Sequence, residues 1–431
     1  MSFWAVLIGL LVVAAASGAP LGAALGLTGF VILELFAGGA TGLALDRIWN
    51  TLTSFTLSAI PVFILMGEVL LESGVSRRVY DAMAPVFRRL PGGLLHTNIA
   101  VCTVFGAVSG SSLSTAAAVG SVAYPEMAAR GYDRRLVVGS LAGGGTLGLL
   151  IPPSLSLLIF GALTETSIGQ LFLAGLVPGL IGAVAFMIYL WARCRRAPHL
   201  APPDTRAVPL GRILRGLADL WPVAVLIGAV MGSIVAGLAT PTEAAGLGLA
   251  ASIVIGAVVG DLTPRRLVTA FLRGVRTFGA IGFVIVGAVI LAQSVSILAV
   301  PQDLLAVVRD SGLGPVAVLV LVVVVYLVLG LLFEGLSLMI MTLPIVFPLL
   351  TGLGYDPVWV GVLVTIMIEV GMITPPVGLN LSVLTALTEE EVGLGEAARA
   401  AMPYWAILLG LVALLALAPG LATTLPAWAL R

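Results

Sequence analysis

Two matching stretches hold the residues whose types and spacing could do chemistry. The first runs through Gly143, Gly144, Gly145, Thr146, Leu147 and Gly148 to Pro152, Pro153 and Ser154. The second runs through Glu369, Val370 and Gly371 to Thr374, Pro375, Pro376, Val377 and Gly378. Each lies in an apolar run long enough to cross a bilayer. Each sets a double proline where a spanning helix must break, because proline removes a backbone donor and clashes with the preceding turn. A helix that stops there leaves carbonyls without partners, and its successor begins with free amides. In lipid such groups are tolerated only inside protein or beside a water-filled cavity. Freed carbonyls joined by Ser and Thr hydroxyls make an oxygen cage for a small hard cation such as Na⁺. Free helix N-termini favour an anion such as a carboxylate.

Each break has a candidate partner upstream. Gly106 to Thr115 reads as a small, polar tip inside the apolar region Leu94 to Met127, and Gly330 to Ser337 does the same inside Val316 to Leu350. The first cage is placed on Ser109, Gly110, Ser111 and Ser112, with the backbone of Gly143, Gly144, Gly145 and Thr146 and with Pro152 and Ser154. The second is placed on Gly330, Glu334 and Gly335, with Glu369, Thr374, Pro375, Gly378 and Asn380. Glu369 takes the position of Thr146, and a carboxyl at membrane depth marks function by default. The bland alternative is close packing, for which membrane helices also use Gly and Ser. Glu34, Glu68 and Glu72 read as structural or interfacial. Thr240, Pro241, Thr242 and Glu243 read as a helix cap.

The elements that must position these residues follow from composition and charge. Of 431 residues, 60% are hydrophobic and 10% charged, with a mean hydropathy of +1.16. That is an all-α polytopic membrane protein. Nothing resembles a nucleotide loop, a zinc signature or a nucleophile elbow, and Cys102 and Cys194 read as unpaired thiols. All 21 basic residues are Arg. Arg placement sets orientation: Arg47, Arg309 and Arg431 fall outside, leaving 18 of the 21 inside, with a periplasmic N-terminus. Expected spans are Phe3 to Gly18, Leu21 to Ala37, Phe55 to Leu71, Leu136 to Leu163, Gly169 to Trp191, Trp221 to Leu238, Ala244 to Val259, Thr277 to Val300, Val358 to Leu387 and Tyr404 to Ala418. The apolar regions around the two tips are each too short for two spans and have like-charged flanks. They read as re-entrant hairpins entering from opposite faces. The stretches around Asp46 and Arg47, Arg77 to Arg89, Arg265 to Arg276 and Asp303 to Asp310 read as loops.

The halves align without gaps at an offset of 223. Gly131–Tyr132–Asp133 meets Gly354–Tyr355–Asp356, Pro125 meets Pro348, Gly148 meets Gly371, and the two Pro-Pro pairs coincide. The topology makes the repeat inverted, a recurring plan of secondary transporters. The expected organisation is scaffold helices in 1–93 and 221–315, a first repeat in 94–192, an Arg- and Pro-rich linker in 193–220, a second repeat in 316–420 and a tail in 421–431.

Five stretches then resemble the DctM-type large membrane subunit of tripartite ATP-independent periplasmic (TRAP) transporters. They are Ile60–Glu68, Phe105–Ser112, Leu147–Ser154, Ala239–Ala245 and Ile373–Asn380, in the expected order across nearly the whole chain. The resemblance implies sodium-driven import of organic acids such as C4-dicarboxylates across a bacterial inner membrane. It implies an elevator-type fold, a small four-helix membrane subunit (DctQ-type) and a periplasmic substrate-binding protein (DctP-type). No cofactor is implied beyond Na⁺ as coupling ion. The small subunit is expected not to be fused, since the chain opens on the large subunit's first helix. The alternatives are a stand-alone sodium/dicarboxylate or anion carrier of the same plan and, more distantly, a membrane-embedded enzyme or channel.

Overall fold

A computed structural model describes residues 3–202, 209–389 and 391–429. Arg431 and the linker residues Pro203 and Arg206 lie outside these. So does Glu390. The first half contains α1 (Phe3–Ala16), α2 (Leu21–Phe36), α3 (Thr41–Leu52), α4 (Ala59–Glu72), α5 (Val75–Phe87), α6 (Leu94–Ser109), α7 (Ser112–Ala129), α8 (Arg134–Leu150), α9 (Leu155–Thr164) and α10 (Ile168–Arg196). A short helix, α11 (Leu210–Ala218), leads to the second half. That half contains α12 (Trp221–Val235), α13 (Pro241–Val258), α14 (Pro264–Ile297), α15 (Val300–Asp310), α16 (Pro315–Gly330), α17 (Gly335–Gly352), α18 (Pro357–Met372), α19 (Leu379–Leu387), α20 (Leu394–Leu417) and α21 (Gly420–Ala429).

The 223-residue offset carries far beyond the motifs that revealed it. Shifting α7 by 223 gives 335–352, the bounds of α17. Shifting α2, α5, α8 and α9 lands on α13, α15, α18 and α19 to within three residues at each end. Shifting α3 and α4 gives 264–275 and 282–295, both inside α14. Two elements of the first half are therefore fused into one 34-residue helix in the second.

The repeated Gly-Tyr-Asp is a stop and a start. Gly131 and Gly354 end the preceding helices at φ +78° and +93°, where a Cβ is strained. Asp133 then caps α8 by accepting from the Leu136 amide at 2.8 Å. Asp356 caps α18 from the Val358 and Trp359 amides at 2.9 and 3.0 Å. The Thr240 stretch is the expected cap: Thr240 and Glu243 form a reciprocal capping box at the start of α13.

Several stretches expected to be loops are helices. α3, α5 and α15 hold Arg47, Arg77 and Arg309, and α11 lies inside the expected linker. The described part of the expected tail lies in α21, and α14 begins at Pro264, so Arg265, Arg266, Arg273 and Arg276 lie on its first turns. Each of the polar segments is amphipathic, and averaging over a window hides a polar face that a helix can turn toward water. Six helical segments are long and apolar enough to cross a membrane, and two bent pairs bring the number to eight among the described residues.

α8 and α18 form the centre: every residue from Leu136 to Leu150 and from Val358 to Met372 is buried. The hairpins α6–α7 and α16–α17 pack against them. α2, α4, α13 and α14 pack mainly on one another. Gly22, Gly29 and Gly287 let α2 and α14 run backbone to backbone, since a Cβ on any of them would collide with the facing main chain.

Candidate cation and substrate site

Both breaks occur where the prolines place them. α8 gives way to α9 across Ile151–Ser154, and α18 to α19 across Ile373–Gly378. The Pro152–Pro153 and Pro375–Pro376 bonds are both cis. Each hairpin meets its break through two glycines. A Cβ on Gly106 of α6 would stand 2.5 Å from the Gly148 Cα, and one on Gly330 of α16 would stand 3.0 Å from the Gly371 Cα. The tips are thus held against the last turn before each break with no side chain between.

Tip 1 is a tight polar knot. Gly110 ends α6 at φ +60°, and its Cα faces the Leu155 amide and the Pro153 carbonyl. The Ser109 and Thr115 hydroxyls share a hydrogen bond of 2.6 Å. Ser109 also donates to the Ser111 carbonyl at 3.3 Å, and Ser111 caps α7 by accepting from the Ser114 amide. Shifting Ser111 by 223 gives Glu334, which caps α17 in the same way. Its Oε1 accepts from Leu336 N at 3.1 Å and its Oε2 from Ser337 N at 2.9 Å. Both Glu334 oxygens therefore have a structural task. Gly335 lies against Ile368 and the Met372 sulfur.

Gly143, Gly144 and Gly145 lie inside intact helix, two turns before the break. Their missing Cβ atoms make room for Tyr404, Cys102 and Ala116. Thr146 donates to the Gly143 carbonyl at 2.7 Å. At break 1 the freed Leu149 carbonyl accepts from Ser154 and, at 2.7 Å, from Ser156. At break 2 Thr374 turns back onto the Val370 carbonyl. The hydroxyls beside the prolines thus satisfy freed carbonyls. The surroundings differ: Pro152 and Pro153 are buried, whereas Pro375 and Pro376 are exposed.

The two sites placed separately in sequence are joined across the repeat. Asn380 Nδ2, after break 2, donates to Ser112 Oγ of tip 1 at 2.6 Å. Thr365 of α18 donates to Ser156 of α9 at 3.5 Å. α19 packs on α7, and α17 on α9, so each hairpin is braced by the other repeat's broken helix. Glu369 is one turn beyond Thr365 and shares its face. Its side chain is wholly buried, and neither carboxyl oxygen has a hydrogen-bond partner among the described residues. Asn380 Oδ1 is likewise buried without a partner.

Ser156 and Thr365, which carry no motif of their own, belong to this constellation, and so does Thr115 at the end of tip 1. Glu68 does too. With Ser109, Ser111, Ser114 and Leu336 it lines a cavity of about 50 Å³ between α4 and both tips. Gly67 beside it lets α4 touch the Ser109 carbonyl, which a Cβ would approach to 2.8 Å. Glu72, one turn on, pairs with Arg273 of α14.

A buried core of two broken helices, each clasped by a hairpin and related by one internal repeat, defines a polytopic membrane transporter. The solved structure of the transporter YdaH from Alcanivorax borkumensis has a similar fold. Its TM-score is 0.62 at 16% identity, covering 91% of this chain and 89% of that one. Residues 8–421 match the family described as the tripartite ATP-independent periplasmic transporter, DctM component. The chain belongs to this family: it is a TRAP transporter large permease and not an enzyme. It is 34% identical to the C4-dicarboxylate TRAP transporter large permease protein DctM of Pseudomonas aeruginosa, over 94% of each chain. It is 28% identical to the sialic acid TRAP transporter large permease protein SiaM of Vibrio cholerae, over 95% of each.

Proposed function

We propose that this permease imports an organic acid, a C4-dicarboxylate or a related carboxylate, driven by co-transported Na⁺. The observation that carries the proposal is the paired contact of tip and break at Gly106–Gly148 and Gly330–Gly371. Ser109 and Ser112 lie at tip 1, where Asn380 reaches Ser112, and Glu369 lies in the last turn of α18 before break 2; oxygen donors of these kinds suit a hard cation. The unpartnered, buried oxygens of Glu369 and Asn380 fit a positively charged cargo, since a bare buried carboxylate is costly. Glu334 contributes by holding tip 2 in shape. Relatives named for C4-dicarboxylates and for sialic acid, both carboxylates, support the substrate class.

In this reading the hairpins are re-entrant from opposite faces and the repeat is inverted. Residues 94–192 and 316–420 slide as one body against a scaffold of 1–93 and 221–315. The N-terminus is periplasmic, in the inner membrane. A small four-helix subunit and a periplasmic binding protein complete the system, the latter delivering the solute. Cation and substrate binding are coupled reciprocally: each tightens the other by the same factor.

The test is uptake of radiolabelled C4-dicarboxylates and sialic acid into proteoliposomes holding the permease, its small subunit and its binding protein. Uptake is expected with an inward sodium gradient and is abolished when potassium replaces sodium on both sides. Equal uptake in the two conditions refutes the coupling.

A further inference from the structure

We infer that the Arg-lined cavity beneath the linker helix is a binding site for the phosphate of an anionic phospholipid. The cavity holds about 650 Å³ and lies between α5, the C-terminal end of α7, α11 and the start of α12. Five arginines line it: Arg78, Arg88, Arg130, Arg212 and Arg215. Three carboxylates, Asp81, Glu126 and Asp219, line it as well. Arg130 is paired with Glu126 at 2.5 Å. The remaining four arginines face two carboxylates, which leaves an excess of two positive charges. The guanidinium groups of Arg78, Arg212 and Arg215 have no hydrogen-bond or ion-pair partner among the described residues. Unengaged guanidinium forks converging on one cavity match the geometry of a phosphate.

α11 fixes the source of that phosphate. Leu210, Leu214 and Leu217 recur at i, i+4 and i+7, and are 69%, 57% and 46% exposed. Arg212 and Arg215 sit on the opposite face, toward the cavity. A helix with an apolar row outward and arginines behind lies in the membrane interface, its leucines among acyl chains. Trp221, half exposed at the cavity rim, is the residue type enriched at that depth. α11 is fastened there: Gly216 packs bare against the Ala82 carbonyl of α5, where a Cβ would collide. A lipid beside α11, with its tails at the depth of the leucine row, carries its headgroup at the height of the arginines, the arrangement basic pockets beside membrane helices use. Leu94, at the foot of hairpin 1, also lines the cavity. A bound headgroup therefore joins the α5–α11 bracket to the base of the hairpin.

The experiment uses the full chain, purified in detergent and exchanged into nanodiscs of phosphatidylcholine with graded phosphatidylglycerol. Phosphatidylglycerol per protein is read by native mass spectrometry and by thermal shift. Wild type is expected to retain phosphatidylglycerol over phosphatidylcholine. The pair Arg212→Gln and Arg215→Gln is expected to weaken that retention roughly thirtyfold, taking each arginine's usual contribution at a charged membrane. The pair Arg212→Lys and Arg215→Lys keeps the charge and retains most of the binding. Arg399→Gln, elsewhere on the surface, changes nothing. A glutamine pair that melts like wild type in phosphatidylcholine and still retains phosphatidylglycerol overturns the site. A thermal shift of the same size from inorganic phosphate without lipid overturns the lipid as source.

Discussion

Adding one methyl at Gly106 tests the idea that the tips must touch the breaks. The new Cβ would stand 2.5 Å from the Gly148 Cα and 3.0 Å from its nitrogen, against 3.4 Å for ordinary contact. Both obstacles are backbone inside packed helices, so neither can rotate away. Relief requires α6 and α8 to part by about 0.9 Å, the difference between 3.4 and 2.5 Å. Overpacking of this kind costs about 1–3 kcal/mol, which a well-folded protein survives. Oxygen cages for cations tolerate errors of only about 0.2 Å. Gly106→Ala should therefore fold and yet lose the cation site proposed at tip 1. The equivalent change, Gly330→Ala, starts from 3.0 Å and needs only about 0.4 Å of relief. The assay is a sodium titration of uptake in proteoliposomes, with thermal melting to confirm folding. Gly106→Ala is expected to raise the sodium needed for half-maximal uptake at least tenfold or to abolish uptake, and Gly330→Ala to have a smaller effect. A folded Gly106→Ala with a wild-type sodium response would refute the reasoning, as would the opposite order of severity.

Two other predictions concern the joint between repeats. Asn380→Ala leaves the Ser112 hydroxyl buried without its donor, a loss of about 1–3 kcal/mol. It is expected to lower the melting temperature, and restoring the donor with Asn380→Gln should recover part of it; an unchanged melting temperature in Asn380→Ala would discount the bridge. Glu369→Gln replaces a buried carboxyl that has no hydrogen-bond partner among the described residues, so stability should hold or rise while sodium-dependent uptake falls at least tenfold; uptake at wild-type sodium concentrations would assign the residue to packing.

What could be read in the chain beforehand depended on how local each signal was. Pro-Pro breaks and the Thr240 cap are written within a few neighbouring residues, and the structure places both as expected; the Gly-Tyr-Asp triplet, read in sequence only as a marker of the repeat, is a helix stop and start. Residues 41–52, 75–87, 210–218 and 300–310 form amphipathic helices that hydropathy alone could not separate from polar loops. The repeat was visible only around 125–153, because the helices before it have diverged: what is α3, a turn and α4 in one half is a single α14 in the other. Ser112 and Asn380 stand 268 positions apart, and only folding brings them together. The sequence alone could not assign one role to the three glycines at 143–145. Small residues serve close packing and open backbone equally well, and here Tyr404, Cys102 and Ala116 fill the space.

The unequal exposure of the two breaks has a consequence of its own. Under the proposed inverted repeat, two copies of one part mounted head to tail would have two positions that exchange the copies' roles. In the structure the Pro152–Pro153 turn is shut away and the Pro375–Pro376 turn is open. On that proposal each residue in the other position would take on the surroundings that its counterpart, 223 places along, has here. The molecule would then work in antiphase with itself, and the asymmetry between the turns would tell which half of its cycle it is in.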